Sequence, residues 1–217
     1  MKCPMAESGE THAGTPSPTC SGRNLVVLSG PSGAGKTTVG RMLPGRMDIL
    51  ISTSATTRRP RPGETDGTDY WFITPEEFKK RAAEGRFVEW AEVFGHSYGT
   101  PVEELERAAK QGKRLLLEID VQGGIQIKKK FPEALAILLL PPDDRSLRER
   151  LSRRGTEPPA DVERRFENAR EEVRMAREAR VYDVEVVNDR LADTIDQLVT
   201  LLGIDRDSAQ GQTDSSK

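Results

Sequence analysis

Cysteine is scarce in this chain: Cys3 and Cys20 are the only two among 217 residues. Both sit in a polar N-terminal stretch, too few for a disulfide framework, so a reduced, cytoplasmic setting is expected. Histidine is as thin, with His12 in the same stretch and His96 where a loop is expected. Neither has a Cys, His or acid at ligand spacing, which leaves nothing to build a zinc site or a Ser-His-Asp arrangement from. No apolar run approaches the roughly 20 residues needed to span a bilayer, and residues 1–21 hold no hydrophobic stretch of the kind a secretory signal requires. Charge of one sign is not in excess either. With 33 Lys and Arg against 35 Asp and Glu, the net charge is −2, which argues against the broad positive face that nucleic-acid binding needs. Neither a membrane nor a nucleic acid is therefore expected as a partner.

What is present divides the chain. Residues 1–23 are rich in Ser, Thr, Pro and Gly and lack large apolar side chains. Such a segment cannot bury enough surface to offset its ordering entropy, so a disordered tail is expected there and again over 204–217. Between the tails, apolar runs at Leu25–Leu28, Leu115–Leu117, Leu135–Leu140 and Val184–Val187 read as strands. Three of them are almost continuously hydrophobic, as in parallel strands covered on both faces. Helices fit between them. Thr74-Pro75-Glu76-Glu77 and Thr100-Pro101-Val102-Glu103 each pair a capping Thr with Pro at the first helical position and Glu three residues after the cap. Val162, Phe166, Ala169, Val173 and Ala176 form one helical stripe. Strands separated by helices predict a doubly wound parallel α/β sheet. Residues 54–112 break the pattern with strands of their own, at Asp69–Ile73 and Arg86–Val93, and read as a mixed α+β insert. The Arg-rich 145–165 reads as a short helical lid. The core is then 24–53, 113–144 and 166–203. Trp71 and Trp90 are read as packing residues.

The strongest chemical signal is Gly30-Pro31-Ser32-Gly33-Ala34-Gly35-Lys36-Thr37, directly after the strand ending at Ser29. It satisfies G-x-x-x-x-G-K-[ST] without substitution, in the strand-to-helix setting that confirms the pattern. Glycines let backbone N–H groups wrap a phosphate closely, and the following helix, entered through Thr38, turns its positive end toward it. Lys36 is placed to reach the β- and γ-phosphates, and the Thr37 hydroxyl to bind Mg²⁺. A nucleoside triphosphate is expected here. Leu115–Leu117 runs on to Glu118 and Asp120, two acids on one strand face. At the carboxyl end of a strand in an open α/β sheet they border the ligand crevice, available either to waters of Mg²⁺ or to an acceptor nucleotide. Downstream of the phosphate loop, Arg58-Arg59-Pro60-Arg61-Pro62-Gly63-Glu64 cannot form a helix, because each proline pushes the residue before it toward extended backbone. A rigid extended segment of arginines presents guanidinium forks suited to a phosphate.

The order Ser52-x-Ser54-x-Thr56-Thr57-Arg58, Pro60-Arg61-x-Gly63-Glu64, Gly67-x-Asp69-Tyr70-x-Phe72, Phe87-x-Glu89-Trp90-Ala91, Tyr98-Gly99-Thr100 and Asp120-x-Gln122-Gly123 closely resembles guanylate kinases. The resemblance runs from about Arg23 to Ile204 and covers the phosphate loop. It implies a reaction, ATP + GMP (or dGMP) to ADP + GDP (or dGDP), with Mg²⁺. By position it implies that Arg58, Arg61, Tyr70 and Tyr98 grip the GMP phosphate, and that Glu89, with Ser54, Thr100 and Asp120, reads the guanine. The chemistry is consistent: guanine offers N1–H and a 2-amino group side by side, which a carboxylate accepts together, whereas adenine offers an unprotonated N1. On an extended strand Glu89 shares a face with Phe87 and Ala91, consistent with a base slot. Within the crowd of Arg148, Arg150, Arg153, Arg154, Arg164 and Arg165, the resemblance picks out Arg154 and Arg165 as closing over the transferring phosphoryl group. It sets Asn188 near the adenine of ATP. Glu118 stands where some members have Asp, and Ser97 where a second Tyr is often found. Two other readings stay open: an interaction module of the same fold, against which the intact phosphate loop weighs, and a kinase of another small acceptor, against which Glu89 with Ser54 weighs.

Overall fold

A computed structural model describes residues 22–152 and 159–210. Its centre is strand β1 (Leu25–Ser29), every residue of which is buried. The reason is two-sided cover. Val26 and Leu28 pack with Leu116, Ile137 and Leu139 on one face, and Leu25 and Val27 with Leu115, Leu117 and Ala136 on the other. Successive strand residues point to opposite faces, so only a run apolar at every position satisfies both. The remaining strands of this sheet are β2 (Ile49–Ile51), β7 (Arg114–Glu118), β8 (Leu135–Leu140) and β9 (Val184–Val187), in the order β2-β7-β1-β8-β9 and all parallel. Helices α1 (Lys36–Met42) and α7 (Leu191–Gln210) cover one face through Val39, Ile195, Leu198 and Leu202. Helices α3 (Glu103–Gln111), α4 (Val121–Lys130) and α6 (Pro159–Ala179) cover the other through Ala108, Ile127 and Ala176. This is the doubly wound sheet that the alternating pattern predicts. The expected stripe on α6 divides its work: Val173 and Ala176 pack near the sheet, while Phe166 and Ala169 bury against Leu147 and Leu151 of α5 (Asp144–Ser152).

A second sheet occupies the region read as an insert. It runs β4 (Trp71–Phe72), β3 (Ala55–Thr56), β6 (His96–Pro101), β5 (Phe87–Val93), with β3–β4 parallel and the other pairs antiparallel. Helix α2 (Pro75–Ala83) packs on it through Phe78, stacked on Phe87 with ring centroids 4.5 Å apart. Thr74 caps α2 as its sequence predicts, its hydroxyl accepting from Glu77 N–H at 3.2 Å.

The structure departs from the sequence reading at several points. Thr100 is not a helix cap: it lies in β6, its amide and hydroxyl both spent on Glu89, and α3 begins at Glu103 instead. Strand β4 is only two residues long, because Asp69, expected within it, turns back to accept from Thr65 N–H and to pair with Arg41. The ladder between β5 and β6 shifts register between Phe87 and Glu89. The extra residue puts Phe87 and Trp90 against Phe78 and Val88 in the main core, so Phe87 does not share Glu89's face. Trp71 and Trp90 do pack, Trp71 beside Gly67 and Trp90 edge-on against Phe78, though they stay 41% and 47% exposed. Gly22, assigned to the tail, is buried in a short 3₁₀ turn and donates its N–H to Glu133. Helix α7 continues to Gln210, into the stretch expected as tail. Among the described residues no helix is long and apolar enough to cross a membrane.

Candidate active site

The phosphate loop leaves β1 at Ser29 and crosses the carboxyl ends of the parallel strands. Gly30 adopts φ +150, and a side-chain carbon there would lie 2.1 Å from the carbonyl oxygen of Leu139 on β8. Only glycine permits that approach. At Gly35, with φ +97, a side-chain carbon would lie 2.4 Å from Asn188 Nδ2, which donates to Ala34 O at 2.8 Å. The loop's polar groups have partners from the chain itself. Lys36 Nζ donates to the carbonyls of Gly30 and Pro31 at 2.6 and 3.1 Å. Ser32 N–H donates to Glu172 Oε2 at 2.9 Å, and the Thr37 hydroxyl to Glu118 Oε1 at 2.5 Å.

One cavity of about 400 Å³ runs from this loop to the second sheet. Gly30, Ser32, Gly33, Gly35, Lys36 and Thr37 form one wall, and Ser54, Arg58, Arg61, Tyr70, Glu89 and Tyr98 the other, with Glu118 and Asp120 between them. A smaller cavity, about 270 Å³, opens on the far side of the loop and is bordered by Thr38, Arg150 and Asn188. Pro31 and Ala34 border neither cavity; they serve through their carbonyls. Thr100 also stays behind the wall, where its role is to hold Glu89.

Glu89 is 4% exposed and its Oε1 accepts both the Thr100 amide, at 3.0 Å, and the Thr100 hydroxyl, at 2.6 Å. Burial pushes this carboxyl up to about 7; the Thr100 hydroxyl opposes the rise and the charge of Asp120 adds to it. The Asp120 side chain caps α4 through Gly123 N–H at 2.9 Å, and its carbonyl accepts from Ser29 Oγ, which in turn accepts from Tyr182. A raised carboxyl works against the fold as it ionises. Below the unfolded value of about 4.5 both states hold the proton. Between there and about 7 the folded state binds more protons than the unfolded chain, so stability falls as pH rises, by about 3 kcal/mol in all. Urea midpoints of the nucleotide-free protein are therefore expected to fall from pH 5 to pH 8, with Glu89→Gln removing that component. Parallel pH profiles for the two proteins would show that the carboxyl titrates normally.

Arg58 is nearly buried among its neighbours. Its two terminal nitrogens donate to the two oxygens of Glu64, both at 2.9 Å, and its guanidinium lies 5.4 Å from the Tyr70 ring centroid. Glu64 also accepts Arg61 N–H at 2.7 Å. Burial would raise the Glu64 carboxyl, but the Arg58 fork and the Arg61 amide outweigh it and hold the group below the usual carboxylate range. Tyr70 is pushed up to about 12, by burial first and then by the charge of Glu118, so at neutral pH its hydroxyl keeps its proton as a hydrogen-bond donor.

Arg165 borders the large cavity beside Arg164; Arg154 lies outside the described residues. Three side chains at the site escaped the sequence reading. Arg150, counted only among crowded arginines, donates to Ala34 O at 3.3 Å and Asn188 O at 2.6 Å. Glu64 was quoted in the motif without a role. Glu172 sits seven residues after Arg165 on one helix, a spacing that sets both on the same face and offered the available signal.

Comparison with known proteins agrees with the geometry. The guanylate kinase family model matches residues 22–204. Curated guanylate kinases from Thermotoga maritima and Clostridium perfringens (strain 13 / Type A) are 45% and 44% identical, covering 84% and 82% of this chain and 87% and 82% of their own lengths. A crystal structure of guanylate kinase from Anaplasma phagocytophilum superposes with a TM-score of 0.68 at 32% identity, over 83% of this chain and 84% of that one.

Proposed function

The chain belongs to the guanylate kinase family, and on that premise we propose how its residues divide the phosphorylation of GMP by ATP. The enzyme transfers the terminal phosphoryl group of ATP to GMP, giving ADP and GDP. The observation that carries the division of labour is the single cavity with Lys36 on one wall and the buried Glu89 on the other.

The triphosphate lies along Gly30–Thr37, with Lys36 on the transferring group and Thr38 and Asn188 toward the adenine. Arg58, Arg61, Tyr70 and Tyr98 hold the acceptor phosphate. Glu89 accepts N1–H and the 2-amino group of guanine, backed by Ser54, Asp120 and, through Glu89, Thr100. By the family resemblance dGMP is a second acceptor. Arg165, and by family position Arg154, neutralise charge on the phosphoryl group in flight, where positioning and electrostatics supply most of the catalysis. The Thr37 hydroxyl and the Glu118 carboxylate are hard oxygen donors in contact, a set that suits Mg²⁺. When bound, the metal would neutralise phosphate charge. Residues 54–112 act as the GMP-binding insert and 145–165 as the lid, and closure of both excludes water. We place the enzyme in the cytoplasm.

ADP formation in a coupled assay, dependent on GMP and accompanied by GDP, tests the activity. Arg58→Met tests the clamp. Because Arg58 touches the acceptor phosphate before and during transfer, the variant is expected to raise KM for GMP and lower kcat, each by roughly tenfold or more. An unchanged KM would remove Arg58 from the clamp while leaving the kinase activity in place.

A further inference from the structure

The phosphate loop already holds an anion, and that anion belongs to the protein. Ser32 N–H, in the middle of the loop, donates to Glu172 Oε2 at 2.9 Å, from a residue 140 positions away on α6. The carboxylate borders the same cavity as Lys36 and feels its charge. Lys36 itself donates to the carbonyls of Gly30 and Pro31. Main-chain N–H groups in such a loop are oriented to receive phosphate oxygens. A carboxylate accepting one of them occupies the kind of position a phosphate oxygen takes, and places a negative charge where a polyanion must arrive. Burial raises the Glu172 carboxyl, with Lys36 and the Ser32 amide opposing, as suits a carboxylate held in a cavity shaped for another anion.

We infer that Glu172 is a resident anion of the phosphate loop, one that satisfies Ser32 and must give way when ATP binds. This rests on the reading of Gly30–Thr37 as the ATP site. Glu172 is on this account a positioning residue: it keeps the loop in its receiving shape without phosphate, and it weakens ATP binding by the free energy needed to displace it. Its helix also carries Arg165 to the same cavity, so Glu172 and the arginine proposed to meet the phosphates share one element.

A carboxylate that merely supports the loop and one that competes with phosphate predict opposite results when its charge is removed. Glu172→Gln keeps the shape and an oxygen able to accept from Ser32, but loses the charge. Titration calorimetry with ATP in the presence of Mg²⁺ is expected to show binding on the order of tenfold tighter than wild type, the scale of one like-charge contact in a partly screened cleft. KM for ATP should fall with it, while GMP affinity stays within about twofold. Glu172→Ala should also tighten ATP binding, and serves if the glutamine variant does not fold. Unchanged or weaker ATP affinity in a folded variant would overturn the inference, leaving Glu172 as a structural cap on Ser32. Failure of the wild type to bind ATP would overturn the site reading itself, a separate and distinguishable result.

Discussion

Lys36→Ala is expected to slow phosphoryl transfer by roughly 10³-fold, the scale of losing one preorganised positive group at a transferring phosphoryl, while GMP still binds. The Lys36 ammonium is held on the carbonyls of Gly30 and Pro31, a short reach from where phosphates in the proposed site would lie. The hydrogen bonds to these carbonyls are worth about 1 kcal/mol each, and the fold is expected to survive their loss because the buried sheet is extensive. The proposed acceptor site is built on other elements: Arg58 follows β3, Tyr70 precedes β4, and Glu89 lies in β5. Rapid-quench or coupled assays give the rate, circular dichroism checks the fold, and calorimetry with GMP decides between the two walls. Collapse of GMP affinity in a folded variant would show that acceptor and donor sites are not separable in this way.

The second large effect is selectivity for guanine. Wild type is expected to prefer GMP over AMP by on the order of 10⁴ in kcat/KM, the discrimination available when a buried polar group is left unpaired by the wrong substrate. Glu89 is that group. It is 4% exposed, and Oε1 is already occupied by Thr100. Oε2 points toward the first turn of α4, where a side-chain carbon on Gly123 would lie 2.6 Å from it. Oε1 is held by the Thr100 amide and hydroxyl, so the carboxylate meets an adenine that offers a lone pair in place of a donor. Glu89→Gln replaces one acceptor by a donor facing guanine's own donors, and should bring the GMP preference down by about two orders of magnitude, mostly through KM for GMP. Comparable turnover of AMP by the wild type would remove the guanine assignment. Retained preference in Glu89→Gln would move the readout to Ser54 and Asp120.

How much of this could be read before the fold was known differs from residue to residue. The phosphate loop was legible because everything it needs is contiguous: Gly30 and Gly35 supply the backbone freedom, β1 supplies the approach, and Lys36 and Thr37 supply the chemistry within one turn. The parallel sheet was legible for a similar reason, since Leu25–Leu28 and Leu135–Leu140 are apolar at every position and no one-sided strand is. The residues proposed for the acceptor form a motif in the sequence, but the contacts they make are not legible there. Thr100 carries every local mark of a helix cap, and its hydroxyl instead serves Glu89 across a hairpin whose register shifts at the residue before it. That choice depends on which strand lies opposite, and no short window of sequence contains it. The same holds for the partners within the site: Glu64 on Arg58, Glu118 on Thr37, and Glu172 on Ser32. A charged side chain on a surface helix looks alike in sequence whether it faces water or a phosphate loop. Packing of α6 against the core turns Glu172 inward, because burial of Phe166, Ala169 and Ala176 fixes the rotation of the helix, and once that rotation is set the carboxylate has nowhere to go but the cavity.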